Sequence, residues 1–131
     1  MKMRRSVLLV AVCLLVVMSI SVVAFAATSK VFRRGVSNGY DYVCKGDISS
    51  LVATATFTAT ANENLPHPPE RDCASEVWVL TYNQYGKRLG AAVTNGTTYT
   101  KATCTVSDAV EYTYNTFEFM GTDLGGYILF K

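Results

Sequence analysis

The chain has 131 residues, with twelve lysines and arginines, ten carboxylates, one histidine and four cysteines, and half of it is apolar. That length suffices for one domain, and the near balance of charge gives no electrostatic case for binding nucleic acid or an anionic membrane. A single histidine with scattered cysteines excludes a zinc cluster of any standard spacing.

The first segment differs from everything after it. Lys2, Arg4 and Arg5 form a charged start, residues 7–18 are an unbroken apolar run, and Ala24-Phe25-Ala26 is the small-x-small pattern of a signal peptidase site. Together these read as a secretory signal peptide over residues 1–26. The alternative is an uncleaved N-terminal anchor, since residues 7–27 are interrupted only by Ser19 and Ser21 and are long enough to cross a bilayer. The well-formed Ala-Phe-Ala site favours cleavage after Ala26. Cys13 lies deep in the apolar run with no small residue directly before it, so it does not mark a lipid anchor. Losing the leader takes three of the twelve basic residues and leaves nine against ten acids. It also leaves Cys44, Cys73 and Cys104.

Residues 27–35, ATSKVFRRG, read as a flexible basic arm that precedes a domain spanning residues 36–131. Tyr40, Tyr42 and Cys44 share one parity and predict a strand near residues 40–44. Lys45-Gly46-Asp47 is a turn signal. Residues 50–61, SLVATATFTATA, then alternate strictly. Leu51, Ala53, Ala55, Phe57, Ala59 and Ala61 fall on one side, and Val52 with Thr54, Thr56, Thr58 and Thr60 on the other. Period-2 alternation defines a long strand with an apolar and a threonine face, and its small alanines call for bulky partners across the core.

Pro66, Pro68 and Pro69 make residues 62–72 an extended surface loop, because proline cannot donate to a ladder. Residues 74–82, ASEVWVLTY, are apolar on both parities and predict a central strand covered on both sides. Residues 83–86 form a hairpin turn, residues 88–94 return, and Asn95-Gly96 signals the next turn. Residues 97–106 alternate again, with Ala102, Cys104 and Val106 together. In residues 109–120, Val110, Tyr112 and Tyr114 share one parity while Phe117 and Phe119 share the other, which predicts a bulge near Asn115-Thr116. Residues 121–126 read as the last turn and residues 127–130 as the final strand.

About seven short strands separated by turns predict an all-β, antiparallel two-sheet sandwich, immunoglobulin-like in size; a small closed barrel is the alternative. The cysteine and tryptophan spacing of true immunoglobulin domains is not matched. Simple up-and-down geometry puts Cys44 and Cys104 at one end and Cys73 at the other, which predicts a Cys44–Cys104 disulfide contributing roughly 2–4 kcal/mol. Cys73 would then be free, or left to link two chains.

No residue pattern points to catalysis. A phosphate loop, a G-x-S-x-G elbow, an H-E-x-x-H pair and a calcium loop are all missing from the sequence. His67 with Cys73 is a weak nucleophile pair, read better as an exposed loop histidine. The expectation is a non-enzyme with no cofactor and no metal. Asn95-Gly96-Thr97 fits a glycosylation sequon, but the turn already explains it and the short basic leader has a bacterial look. The positive feature is tyrosine. All eight tyrosines follow the leader, and Tyr112 and Tyr114, flanked by Glu111 and Glu118, are candidate ligand contacts together with Tyr85.

The layout of leader, Thr/Ala-alternating strand, aromatic-rich strands and few cysteines resembles small uncharacterised secreted proteins of Gram-positive bacteria. The likeness covers the whole chain through composition and layout, without a motif, and carries no activity with it. The reading is a secreted binding module for an extracellular glycan or protein, released because no C-terminal anchor follows. A bacteriocin-like or toxin-type effector is the second class, and a hydrolase with an unrecognised site the third.

Overall fold

The computed structural model describes residues 27–131; the leader, its cleavage point after Ala26 and Cys13 lie outside them. Eight strands follow in order: β1 Thr28–Ser37, β2 Tyr40–Ile48, β3 Val52–Ala61, β4 Ser75–Tyr82, β5 Arg88–Gly96, β6 Tyr99–Thr105, β7 Tyr112–Phe119 and β8 Thr122–Phe130. They form two four-stranded antiparallel sheets, sheet 1 in the order β1-β2-β3-β6 and sheet 2 in the order β5-β4-β7-β8. This is the expected all-β sandwich. Each sheet keeps two free edges, so the barrel alternative does not hold.

The alternation in β3 sets sheet 1. Ala53, Ala55, Phe57 and Ala59 are buried, while Thr54, Thr56, Thr58 and Thr60 face outward. In β2, Tyr40, Tyr42, Cys44 and Ile48 point the same way, and Thr100, Ala102 and Cys104 continue the inward face in β6. Sheet 2 answers with Val77, Val79, Phe117, Phe119 and Leu124. Phe57 and Phe119 meet across the core with ring centroids 5.1 Å apart, and Tyr40 sets its edge to Phe119 at 5.7 Å. Burying each such ring stabilises the fold by roughly 1.5–3 kcal/mol. The small alanines leave the depth that these rings occupy.

Several local expectations are corrected. Residues 27–35 are not a flexible arm: β1 runs through them and pairs with β2 from Thr28↔Ile48 to Ser37↔Tyr40. A two-residue turn joins them at Asn38 (φ 54°) and Gly39 (φ 81°), the geometry that matches strand twist in a hairpin. A bulge at Phe32 turns its ring inward onto Tyr127, stacked at 5.2 Å. Arg33 Nη1 donates to the Leu124 carbonyl at 3.1 Å, tying the edges of the two sheets together. Lys45-Gly46-Asp47 lies within β2 and not in a turn, because Gly46 is the position over which the Phe32 ring lies. Asn95-Gly96 likewise belongs to β5; the chain leaves sheet 2 at Thr97-Thr98 and enters sheet 1.

The bulge expected near Asn115-Thr116 is absent, and β7 pairs with β4 without a shift from Tyr112↔Tyr82 to Phe119↔Ser75. Asn115 takes an inward position fully buried, its Nδ2 donating to Thr113 Oγ1 at 2.9 Å and to the Tyr127 carbonyl at 3.3 Å. A polar residue on the core face made the parity look broken. The last turn is Met120-Gly121 alone, and β8 starts at Thr122 with a bulge at Leu124. With β1 and the longer β8 there are eight strands and not seven.

The Cys44–Cys104 disulfide does not exist; Cys44, Cys73 and Cys104 are three free, buried thiols. Sheet order is the reason. Cys44 stands opposite Phe57, and Cys104 opposite Ala53, with β3 between their strands. Two strand spacings and four residues of offset put them about 16 Å apart, against a limit of about 7 Å for a bridge. Cys73 sits at the other end, with Sγ 3.4 Å from the Pro69 carbonyl. It is fully buried, which removes it as a link between two chains.

Candidate functional site

The two outer faces differ in character. Sheet 1 presents the threonines of β3, with Lys45, Lys101, Thr103 and Thr105 on the flanking strands. Sheet 2 presents rings and aliphatic side chains. Strand β4 is central but covered on one side only: Val77, Val79 and Thr81 face the core, while Trp78 is 40% exposed, which corrects the expectation of cover on both faces.

Register aligns the outward residues of β4, β7 and β8 into four rows. Glu76, Glu118 and Asp123 form the first, and Trp78, Thr116 and Gly126 the second. Leu80, Tyr114 and Ile128 form the third, and Tyr82, Tyr112 and Phe130 the fourth. On β5, Val93 extends the second row and Arg88 flanks the fourth. Successive rows are two residues apart, about 7 Å. In the fourth row Tyr82 and Tyr112 stack at 4.8 Å with rings 6° from parallel, and Phe130, 64% exposed, lies 5.6 Å from Tyr112. Cross-strand aromatic pairs of this kind stabilise a sheet by a few tenths to about 1 kcal/mol each. That accounts for Tyr82 and Tyr112. It does not account for the exposed Trp78, Tyr114, Ile128 and Phe130 on the same face.

Between the first and third rows the face is concave. Glu76, Trp78, Tyr114, Thr116, Glu118, Asp123 and the backbone of Gly125 and Gly126 enclose about 220 Å³. Gly126 makes this shape: a Cβ there would fall on the Tyr114 hydroxyl, so only glycine lets that ring lean over β8. Gly125 N donates to Asp123 Oδ1 at 2.8 Å, which fixes that carboxylate at the rim, and Trp78 Nε1 donates to Glu76 Oε1.

Of the residues anticipated from sequence, Tyr112 and Tyr114 lie together on this face, in adjacent rows. Tyr85 does not join them. It sits in the β4–β5 hairpin, 84% exposed, where Asn83 Oδ1 accepts from the amides of Tyr85 and Lys87. Glu118 belongs to the acidic row, and Glu111 precedes β7 outside it. Trp78, Glu76, Asp123, Ile128 and Phe130 were not anticipated. Their signal was the shared parity of Trp78, Leu80 and Tyr82, which marks one exposed face once the opposite parity is assigned to the core.

Elsewhere, His67 is exposed in the proline loop beside the edge of the Tyr40 ring. Its Nδ1 is 3.2 Å from the Pro68 carbonyl, while the Cys73 thiol is engaged with Pro69, so the two do not form a nucleophile pair. Burial pushes the Cys44 thiol up to about 12, where it is inert as a nucleophile. Among the described residues no three His, Cys, Asp or Glu side chains are arranged to hold a metal ion, and no helix is long and apolar enough to cross a membrane.

No protein-family model matches the chain, and neither a curated protein nor a solved structure matches it.

Proposed function

We propose that this chain is a secreted, non-enzymatic binding module whose ligand, an extracellular glycan, rests on the outer face of sheet 2. The observation that carries the reading is the set of exposed ring and aliphatic side chains that register places on this one face, Trp78, Tyr114, Ile128 and Phe130. Contiguous exposed apolar surface on a small domain marks an interaction site. Tryptophan and tyrosine present flat, rigid surface at low entropic cost. The β4 and β7 backbones are hydrogen-bonded on both sides, so a partner on this face meets side chains alone. That suits a sugar ring laid flat better than a peptide, whose own N–H and C=O groups would stay unpaired. Export rests on residues 1–26 of the sequence.

The test is a glycan array probed with the exported protein and with Trp78→Ala, alongside a growth assay on neighbouring bacterial strains. Retention of a defined glycan class, lost in the variant with an unchanged circular dichroism spectrum, supports the reading. Killing of a neighbouring strain without glycan retention replaces it with the effector reading.

A further inference from the structure

We propose that the concavity at the Trp78 end of this face recognises the free ammonium group of an amino sugar, so that the glycan is a de-N-acetylated one. The inference rests on the glycan reading above and names its substrate class.

Three carboxylates stand directly opposite one another on adjacent strands, Glu76↔Glu118 across β4–β7 and Glu118↔Asp123 across β7–β8. Like charges in directly opposed positions destabilise a sheet. No ion pair involves them among the described residues: those present are Lys45–Asp47 and Arg71–Asp72, both elsewhere. The basic residue on the same face, Arg88, flanks the fourth row, about 20 Å along the strands; Arg33 comes closer, at the Leu124 carbonyl next to Asp123, but from the edge of sheet 1 and without pairing with that carboxylate. The fold therefore maintains a repulsive row at the mouth of a concavity. A bound cation would turn that repulsion into attraction.

The walls define the kind of cation. Trp78, Tyr114 and Thr116 are among the lining residues, and aromatic rings attract an ammonium group through the ring quadrupole. The carboxylates lack the arrangement needed for a metal ion. A space of about 220 Å³ is below the roughly 300–1,000 Å³ of sites for drug-sized molecules, which suits one ring and its substituent. A pyranose bearing an amine can place its apolar face on Trp78 and direct its ammonium at Glu118 and Asp123. The following sugars of the chain can then lie along the third and fourth rows.

Calorimetric titration of the exported protein tests this with three probes: a glucosamine oligomer, the matching N-acetylglucosamine oligomer, and a lysine oligopeptide. The glucosamine oligomer is expected to bind about tenfold or more tightly than its acetylated counterpart, a preference lost in Glu118→Gln/Asp123→Asn. Thermal melting adds an arm independent of ligand: Glu118→Gln is expected to raise the midpoint by relieving the row, and an unchanged or lowered midpoint would remove the basis of the inference. Equal affinity for the two sugars, or a preference surviving the double variant, overturns the inference and leaves the glycan reading standing. Binding of the lysine peptide alone overturns the sugar assignment. Failure of all three probes to bind, with an array that retains no glycan, overturns both.

Discussion

Cys44 and Cys104 face the same core from strands that flank β3, four residues out of register, and cannot be joined. The domain therefore coheres without a crosslink among its described residues, through two sheets that bury Tyr40, Phe57, Phe117 and Phe119 between them. Thiol titration of protein spanning residues 27–131 should find three thiols per chain in denaturant, Cys44, Cys73 and Cys104, and essentially none reacting in the native state. Migration on a gel should be the same with and without reductant. A mass shift of two hydrogens on reduction, or a reducible dimer, would contradict this arrangement.

Alkaline pH should weaken the fold. Burial raises the Cys44 thiol to about 12, and the neighbouring Cys73 thiol, together with burial, raises the Tyr40 phenol, which donates to the Pro68 carbonyl at 2.6 Å, to about 12. The unfolded groups ionise near their ordinary values of about 9 and 10, so above those values the unfolded state binds fewer protons than the folded one. Stability is then full below about pH 9 and falls as pH rises toward 12. Urea midpoints measured from pH 7 to 11 should decline from about pH 9 upward; a flat profile would show that neither group is protected.

Gly46→Ala should cost about 1–3 kcal/mol, the usual range for overpacking. The added Cβ would fall on the Phe32 ring, which is held against Tyr127 and near Phe117. Urea unfolding of the variant checks this, and wild-type stability would mean that β1 is not anchored through Phe32.

Removal of residues 125–131 should unfold the domain. These residues supply most of the β8 partner of β7 and the buried Leu129, which packs with Ile48 and Val110 in a second small core. The truncated protein should lose its strand signal in circular dichroism at 25 °C; a cooperative melt near the wild-type midpoint would contradict the placement.

The parts of this architecture legible in the sequence were those where period and chemistry agree. Residues 50–61 alternate small apolar residues with threonine and became β3 almost to the residue. What escaped had a physical disguise. β1 carries Lys30, Arg33 and Arg34 because it is an edge strand, and charge on an edge reads like a solvated arm. Its hairpin signal, Asn38-Gly39, was overshadowed by Asn95-Gly96, which the structure uses inside β5. Asn115 hid the parity of β7 by filling a core position with a hydrogen-bonded amide. The proposed binding face was half visible through Tyr112 and Tyr114, yet its floor is Gly126, whose role appears only when the Tyr114 ring is seen leaning across it.

The most direct test of the account uses Trp78, the single tryptophan of the chain, whose fluorescence reports on this face and no other. Titration of the protein with each glycan retained on the array, and with the glucosamine oligomer, should shift and saturate that emission. The shift should weaken about tenfold or more in Tyr114→Ala with the fold intact. Emission that stays unchanged at concentrations saturating the protein by calorimetry would place the ligand elsewhere and contradict the account.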